Sequence, residues 1–343
     1  MRGDRAHRPS ALPWLLVALV SVMVLVFVYP MGGRIVDWSA GLAERGSSFG
    51  SVAALDDGHA WVVGTDGSIY FRDGRSWEKQ DSGTERSLIA AAAADPDHVW
   101  AIYDNGVLRF DGKSWSAEAG LRGASGLRAI CAADASHVWV VGASGLVLFF
   151  DGESWSRQES GVDWGLASVC SAGPDRAWAV GEGGILAFDG QSWRTEWSSG
   201  DSGVSARLTG VATSGGGDAW AVGFSADTTY LPVSVFLRRQ GGSWSVAHRE
   251  PDLRFTLIHV DAESRLWAAG SGYALVTYQD GAWSRPLRSS EELDYFTTYG
   301  IDSGGGTLFM AGNLAATGGM TFASVFEMED GVWNMTGFPG AGK

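Results

Sequence analysis

Short apolar runs alternate with polar positions along most of the chain, and glycine, aspartate or asparagine separates one run from the next. Such runs predict β-strands. Asn-Gly or Asp-Gly between two of them predicts a type I′ hairpin turn, whose two central residues need positive φ. In residues 88–118 the pattern predicts four strands, at 88–94, 99–103, 107–110 and 114–118. The chain is therefore predicted to consist of short antiparallel strands joined by tight turns.

This four-strand pattern, with strands named A to D in order, recurs seven times at a spacing near 40 residues. A tryptophan marks strand B at 61, 100, 139, 178, 220 and 267, with Phe309 in the seventh place. A second tryptophan marks strand D at 77, 115, 155, 193, 244, 283 and 333. A period near 40 with four strands per unit is typical of propeller blades. The predicted fold is all-β, a seven-bladed β-propeller of four-stranded antiparallel blades over residues 49–338.

The repeat units resemble a known class of propeller. HVWVVGASGLVLFFDGESW (137–155) and its sister units resemble the bacterial WD40/YVTN/BNR-like propellers, whose blades read VWAVGxxGxIxxxDGxxW. The pattern is also related to that of Asp-box and Ycf48-like propellers. The resemblance implies the fold and leaves the function open, because one fold hosts many functions.

The N-terminus predicts membrane attachment. Residues 1–10 form a basic segment with three arginines, and residues 11–31 are apolar and long enough for a signal anchor. A cleaved signal peptide is the alternative; the anchor is favoured because no small residues suited to cleavage closely follow the apolar run. The arginines predict a cytoplasmic N-terminus, so the propeller is expected outside the cytoplasm, as a single-pass protein of the cell membrane. Residues 32–48 are predicted to be a linker, with a possible extra D strand at 35–39, and residues 339–343 a tail. Either strand 35–39 or strand 332–336 closes the ring; the sequence leaves both open.

The net charge bears on the class of partner, and the cysteine positions bear on disulfide formation. The net charge is −14 and the chain has only three lysines, so nucleic acid is not an expected partner. Cys131 and Cys170 fall at the same place in strand A of adjacent units, where stacked sheets are too far apart for a disulfide. Both are predicted to be buried and unpaired. The aligned places in the other units are Ala53, Ala92, Ala212, His259 and Ile301.

Residues with possible chemistry mostly have structural explanations. His59, His98 and His137 lie on three different blades, too far apart to share a metal ion. The aspartates before the C–D turn glycines suit turns, where their side chains bond nearby backbone. No G-x-S-x-G, H-E-x-x-H or C-x-x-C motif is present. We therefore assign no catalytic residue, no metal site and no cofactor.

The irregular parts of the repeat point to one face. D–A and B–C connections emerge on one face of a propeller, here the D–A/B–C face, and the A–B and C–D turns on the other. Insertions at 224–232 and 313–321 and long connections at 196–206 and 285–296 all belong to the D–A/B–C face. Its candidate ligand-binding residues are Trp164, Trp197, Asp227, Tyr230, Glu291, Glu292, Asp294 and Tyr295. Alternative contacts for an acidic ligand are Arg128, Arg207 and Arg254, near the starts of A strands.

Three functions fit this sequence. The favoured one is a membrane-anchored, extracytoplasmic and non-catalytic binding or scaffold module for a protein or an envelope polysaccharide. The second is a glycan-active enzyme, either a sialidase-like glycoside hydrolase or a polysaccharide lyase, which would need paired carboxylates about 5–9 Å apart. Its candidate acids are Asp66, Asp104, Glu182 and Asp227. The third is a tectonin-like lectin that stacks sugar on Trp164 and Trp197.

Overall fold

The computed structural model describes residues 47–336, apart from 56–57, 75, 122, 216, 226–232, 272–273, 287–295, 316–320 and 330. The described residues form seven four-stranded antiparallel sheets, each with its strands in chain order. Among them, no helix has the length and apolar character needed to cross a membrane. The anchor predicted at 11–31 and the strand predicted at 35–39 lie outside the described residues.

Each sheet is one blade, as the repeat predicts. Blade one has β1 (Phe49–Ala54), β2 (His59–Gly64), β3 (Ile69–Asp73) and β4 (Trp77–Gln80). Blade two has β5 (Ala90–Asp95), β6 (His98–Tyr103), β7 (Gly106–Phe110) and β8 (Trp115–Ala117). Blade three has β9 (Leu127–Asp134), β10 (His137–Gly142), β11 (Val147–Phe150) and β12 (Trp155–Gln158). Blade four has β13 (Leu166–Gly173), β14 (Arg176–Gly181), β15 (Gly184–Phe188) and β16 (Trp193–Ser198).

The last three blades depart more from the average length. Blade five has β17 (Ala206–Thr213), β18 (Ala219–Ser225), β19 (Val233–Gln240) and β20 (Ser243–Pro251). Blade six has β21 (Phe255–Val260), β22 (Leu266–Gly270), β23 (Leu275–Gln279) and β24 (Ala282–Ser284). Blade seven has β25 (Phe296–Gly304), β26 (Thr307–Ala315), β27 (Thr321–Glu329) and β28 (Val332–Met335). Among the described residues, strand D of blade seven is the chain's own β28, which pairs with β27.

Blade seven closes the ring against blade one through side chains. Glu327 of β27 accepts hydrogen bonds from Trp77 Nε1 at 2.8 Å and from Arg72 at 3.1 Å. Asp302 of β25 accepts one from the Ala54 amide at 2.9 Å. These ties join residues about 250 positions apart in sequence, so hydrogen bonds from side chains and backbone hold the first and last blades together.

The strand-B tryptophans form the core between blades. Trp61, Trp100 and Trp139 are fully buried, and Trp178 is 1% exposed. In blades one and three the cross-strand neighbour is a phenylalanine, which packs on the indole at 5.0 Å (Phe71) and 5.1 Å (Phe149) between ring centroids. Burying such large side chains supplies most of the stabilisation available to a blade that cannot cover its faces alone.

The glycine three residues after each strand-B aromatic residue is explained by a close approach. In six blades, a Cβ atom at this glycine would lie 1.9 to 2.4 Å from a carbonyl oxygen within one residue of the start of the paired A strand. No real side chain tolerates that distance. The six are Gly64, Gly142, Gly181, Gly223, Gly270 and Gly312. Blade two carries Tyr103 at this place.

The C–D turns confirm the predicted hairpins but not always the predicted turn type. In blade six, Asp280 and Gly281 both have positive φ, at 51° and 85°, as type I′ requires. In blades one to four only the glycine does, and the aspartate is the residue before the turn. There the carboxylate accepts backbone N–H bonds from the turn, as Asp111 does from Lys113 and Ser114. These bonds lower the pKa of Asp111, so the turn aspartates have a local structural role.

A tie between D strands was not predicted. Trp115 Nε1 donates to Gln80 of the preceding blade at 2.7 Å, and Trp193 Nε1 donates to Gln158 at 2.7 Å. Both glutamines lie three residues after their own blade's tryptophan. The spacing W-x-x-Q was therefore visible in the sequence as a signal for contact between neighbouring blades.

Candidate functional site

The A strands of all seven blades surround a central channel with a volume of about 450 Å³. Each A strand begins at the D–A/B–C face, so its first residues form the mouth of the channel there. The insertions of blades five and seven lengthen hairpins on the same face, because β18 runs to Ser225 and β26 to Ala315. The mouth is therefore the place where the irregular features and the channel meet.

One residue near the start of strand A is skipped by the strand pairing in six blades. The register with strand B jumps there, which defines a β-bulge. Ile89 holds the same place in blade two, eleven residues before its repeat tryptophan. Bulges re-aim a side chain away from the regular sheet. The resulting bulge column consists of Gly50, Ile89, Arg128, Ala167, Thr209, Thr256 and Tyr299.

The bulge column is asymmetric in chemistry. Tyr299 is 47% exposed and Ile89 37% exposed, and Gly50 of blade one lies between them in ring order. Arg128 of blade three is exposed and is next in the ring. The column therefore has one arc, from blade seven through blade three, with large side chains. Across blades four to six the same column is small or polar, with Ala167, Thr209 and Thr256.

Trp164 lies beside this arc, where the sequence analysis placed a candidate contact. It is half-buried, and its indole covers Gly181 and Gly183, since a Cβ on Gly183 would lie 2.3 Å from Trp164 Nε1. The Arg128 guanidinium lies against Gly165, next to Trp164 in the chain. The glycines thus give the tryptophan and the arginine room to lie on the surface of blade four.

Trp197, the second candidate tryptophan, is a core residue. It pairs with Ile185 near the end of β16 and is 6% exposed. It packs in the cluster between blades four and five, together with Val204 and Leu208. Its burial leaves little ring surface for a ligand, because the long connection at 196–206 begins as an extension of strand D.

Arg207 and Arg254 each reach back to the preceding blade. Arg207 forms an exposed ion pair with Glu182 at 3.7 Å. The Arg254 guanidinium carbon lies 4.1 Å from the ring centroid of Phe224. Both arginines lie two residues before the bulge residue of their blade, near the start of strand A, as predicted. The candidates Asp227, Tyr230, Glu291, Glu292, Asp294 and Tyr295 lie outside the described residues.

The opposite face carries a concave region between blades four and five. Ala187 stands there across from Trp178, where blades one and three place phenylalanines. The space is about 520 Å³ and is bordered by Arg176, Arg194 and Glu196. Arg239 of blade five covers Trp178, with its guanidinium carbon 5.4 Å from the ring.

Glu196 joins the two blades at this place. Its carboxylate accepts hydrogen bonds from Trp178, Trp244 and Arg239, at 2.8 to 3.1 Å. Burial alone would raise the pKa of Glu196, but these bonds and the charge of Arg239 outweigh burial and lower it. Because three of the four bonds join blade four to blade five, we assign the ionised Glu196 carboxylate a structural role.

The three histidines that suggested a metal each begin strand B of their blade, directly after the A–B turn. His98 Nδ1 bonds Asp95 at 2.8 Å and His137 Nδ1 bonds Asp134 at 2.9 Å, each within its own A–B hairpin. In the described ranges, no three His, Cys, Asp or Glu side chains gather as a metal site.

Cys131 and Cys170 have the predicted register and no disulfide. Each pairs with the repeat tryptophan of its own blade, Cys131 with Trp139 and Cys170 with Trp178, and burial raises the pKa of the Cys131 thiol to about 12. Cys170 is buried, while Cys131 is half-buried, which corrects one expectation. A second correction concerns blade seven, where Asp302, not Ile301, faces Phe309. Its A–B hairpin is one residue shorter than in the first three blades.

Comparison with known proteins finds structural neighbours that share the propeller fold. No family model matches the sequence, and no curated protein matches it. YCF48 from Cyanidioschyzon merolae is 16% identical, over 82% of this chain and 96% of that one, with a TM-score of 0.58. A structure of YCF48 bound to D1 peptide is 16% identical, over 82% and 94%, with a TM-score of 0.60. The WD40 β-propeller domain of Doa1 is 10% identical, over 83% and 95%, with a TM-score of 0.62.

The likeness is one of fold. Ycf48 and WD40 propellers are structural neighbours of this chain, and the seven-bladed architecture is common ground. At 10–16% identity the likeness carries no ligand or residue role from those proteins to this one. The bulge column was not predicted from the sequence. It lies eleven residues before the repeat tryptophan in blades one to six, but Tyr299 lies ten residues before Phe309 because the A–B hairpin of blade seven is one residue shorter.

Proposed function

We propose that this chain is a non-catalytic binding module whose D–A/B–C face holds a partner protein. The observation that carries the proposal is the arc of the bulge column with Tyr299, Ile89 and Arg128 at the channel mouth. Tyrosine and arginine are over-represented among residues that dominate interfaces, and a rigid scaffold lowers the entropic cost of binding through them. That the neighbouring YCF48 structure holds a D1 peptide agrees with this kind of use of the fold.

The proposal includes membrane attachment. Residues 11–31 would anchor the chain, with residues 1–10 in the cytoplasm and the propeller outside it. An anchored propeller would be available to partners in the cell envelope. Intact-mass analysis of membrane-extracted protein should show that residues 1–30 are retained; a mature chain starting between Gly32 and Glu44 would contradict the anchor.

Site-specific cross-linking tests the binding face. A photo-reactive amino acid is introduced in place of Ile89 or Tyr299, and, as matched controls, in place of Lys113 or Glu153 in the C–D turns of the opposite face. All four positions are exposed. After illumination of intact membranes, the first two variants should give the same cross-linked protein and the controls should not. Cross-links to that protein from the controls alone would contradict the proposal.

A further inference from the structure

We propose that the arc Tyr299–Gly50–Ile89–Arg128 binds an extended segment of the partner protein that presents one large apolar side chain and, a few residues away, one carboxylate. This inference rests on the proposed function, and it names the chemistry of the partner at the same face. It comes from the order of four side chains around the mouth of the channel.

The apolar part of the arc is unusual for this molecule. Four large hydrophobic residues are exposed in the described part of the chain, and Ile89 and Tyr299 are two of them. The other two, Val246 and Val332, lie on D strands at the outer edge of the propeller. Single exposed apolar residues need no explanation, but two in one structural column beside a channel indicate a binding surface.

Gly50 lies between the two apolar side chains in ring order and allows blades one and two to pack closely. It has no side chain, and its backbone packs directly on blade two, since a Cβ there would lie 2.9 Å from the carbonyl oxygens of Leu88 and Ile89. On the other side, Gly300 packs on the backbone of Ser51 in the same way. The A strands of blades seven, one and two therefore lie close together. In ring order, Tyr299 and Ile89 lie on either side of Gly50, which has no side chain to separate them.

Arg128 supplies the charge selectivity. It is exposed and forms no ion pair with any described residue, unlike Arg207, which pairs with Glu182. The contact with Gly165 supports its guanidinium at the mouth without neutralising it. An arginine held in place with a free charge favours a carboxylate, which it can bind through two parallel hydrogen bonds.

The spacing of the two features follows from strand geometry. Ile89 and Arg128 are one blade apart, a distance between close strand contact of roughly 5 Å and sheet stacking of about 10 Å. An extended chain advances about 3.3 Å per residue. The carboxylate should therefore follow or precede the apolar side chain by about two or three residues.

Designed peptides test the chemistry without knowledge of the natural partner. The probes are fluorescent, end-capped octapeptides of glycine and serine that carry one phenylalanine and one glutamate, placed two or three residues apart. Two control peptides carry serine in place of phenylalanine or glutamine in place of glutamate. Binding to the full chain in nanodiscs is measured by fluorescence anisotropy. We expect the phenylalanine–glutamate peptide to bind at least about tenfold more tightly than the serine control.

Variants of the protein assign each preference to a residue. Tyr299→Ser and Ile89→Ser should each remove most of the preference for phenylalanine over serine. Arg128→Gln should make the glutamate and glutamine peptides bind alike and leave the preference for phenylalanine. The matched controls, Val332→Ser for exposed apolar surface and Arg176→Gln for an exposed arginine of the opposite face, should change neither preference.

Two outcomes would overturn the inference. If the peptides bind but Tyr299→Ser, Ile89→Ser and Arg128→Gln leave both preferences intact, the arc is not their site. If no peptide binds better than its controls, the chemistry assigned to the partner is wrong. The proposed function is judged separately by cross-linking from positions 89 and 299, so a partner found there would stand even if the peptide experiment failed.

Discussion

Two columns of the repeat behave in opposite ways. The strand-B tryptophan column is nearly constant from blade to blade, and its first four members are at most 1% exposed. The bulge column changes from glycine to isoleucine, arginine, alanine, threonine and tyrosine, and its largest members are exposed. Both columns are set by the same backbone, a few residues apart along the blade.

The difference separates positions whose residue type the blade packing requires from positions whose residue type it does not restrict. Every blade must bury a bulky ring against its neighbour, so the first column is held constant by packing. The bulge residue leaves the ladder and projects at the mouth, so its identity costs the fold little. Residues that vary at a rigid position are free to serve binding, and the predictions below test this contrast.

The largest expected effect is loss of a core ring. Trp100→Ala should lower the free energy of unfolding by about 3–5 kcal/mol, because the removed indole leaves a cavity between blades two and three. Trp197→Ala should act in the same direction, since Trp197 is also buried. In the other column, Tyr299→Ser should stay within about 0.5 kcal/mol of the parent. Chemical denaturation measures all three; equal losses for Trp100→Ala and Tyr299→Ser would remove the contrast.

The next effect concerns the tie between blades four and five. Glu196→Gln should destabilise the protein by on the order of 3 kcal/mol at neutral pH, because it leaves the Arg239 charge without its partner. The control is Glu263→Gln, which breaks an exposed pair with Arg265 and should cost less than about 1 kcal/mol.

The same tie has a defined pH dependence. The pKa of folded Glu196 lies below its ordinary value of 4.5. The stabilisation is therefore present above the unfolded pKa and is lost as the pH falls through the lower, folded pKa. The difference in unfolding free energy between the parent and Glu196→Gln should shrink as the pH falls from 5 towards 3. A difference that stayed constant over this range would show that ionised Glu196 is not the source of the stabilisation.

A smaller effect is expected for the half-buried tryptophan at the mouth. Trp164→Phe keeps a ring over Gly181 and Gly183 and should change the melting temperature little. It should weaken binding of the phenylalanine–glutamate peptide by less than Tyr299→Ser does, since Trp164 borders the arc without belonging to it. A stronger effect than that of Tyr299→Ser would move the centre of the site to blade four.

The smallest effect is expected on the opposite face. Lys113 lies in a C–D turn where its side chain makes no ion pair within the described residues. Lys113→Glu should leave stability within about 0.5 kcal/mol and peptide binding unchanged. A loss of binding in this variant, measured by the same anisotropy assay, would place the site on the wrong face.

The sequence was sufficient for the fold because packing and turn chemistry repeat with the period of the blade. Tryptophan spacing and turn glycines therefore predicted the blades and their strands. The structure then explained Gly64 and its five counterparts, because each lies against a backbone carbonyl near the start of strand A. The site was harder, because burial and bulges are properties of the folded sheet. Trp164 and Trp197 look alike in sequence, yet strand D extends through Trp197 and buries it. In the sequence, Ile89 and Tyr299 look like ordinary strand residues; in the structure both are exposed, Tyr299 at a skipped register and Ile89 at the equivalent place just before β5.

Hydrogen–deuterium exchange of the full chain, with and without saturating phenylalanine–glutamate peptide, tests the central claim most directly. The account predicts slower exchange at the starts of the A strands of blades seven, one, two and three, in segments 297–301, 48–52, 86–91 and 126–131. It predicts no change in the A–B and C–D turns, such as 95–98 and 111–115. Protection confined to those turns, with none at the channel mouth, would contradict it.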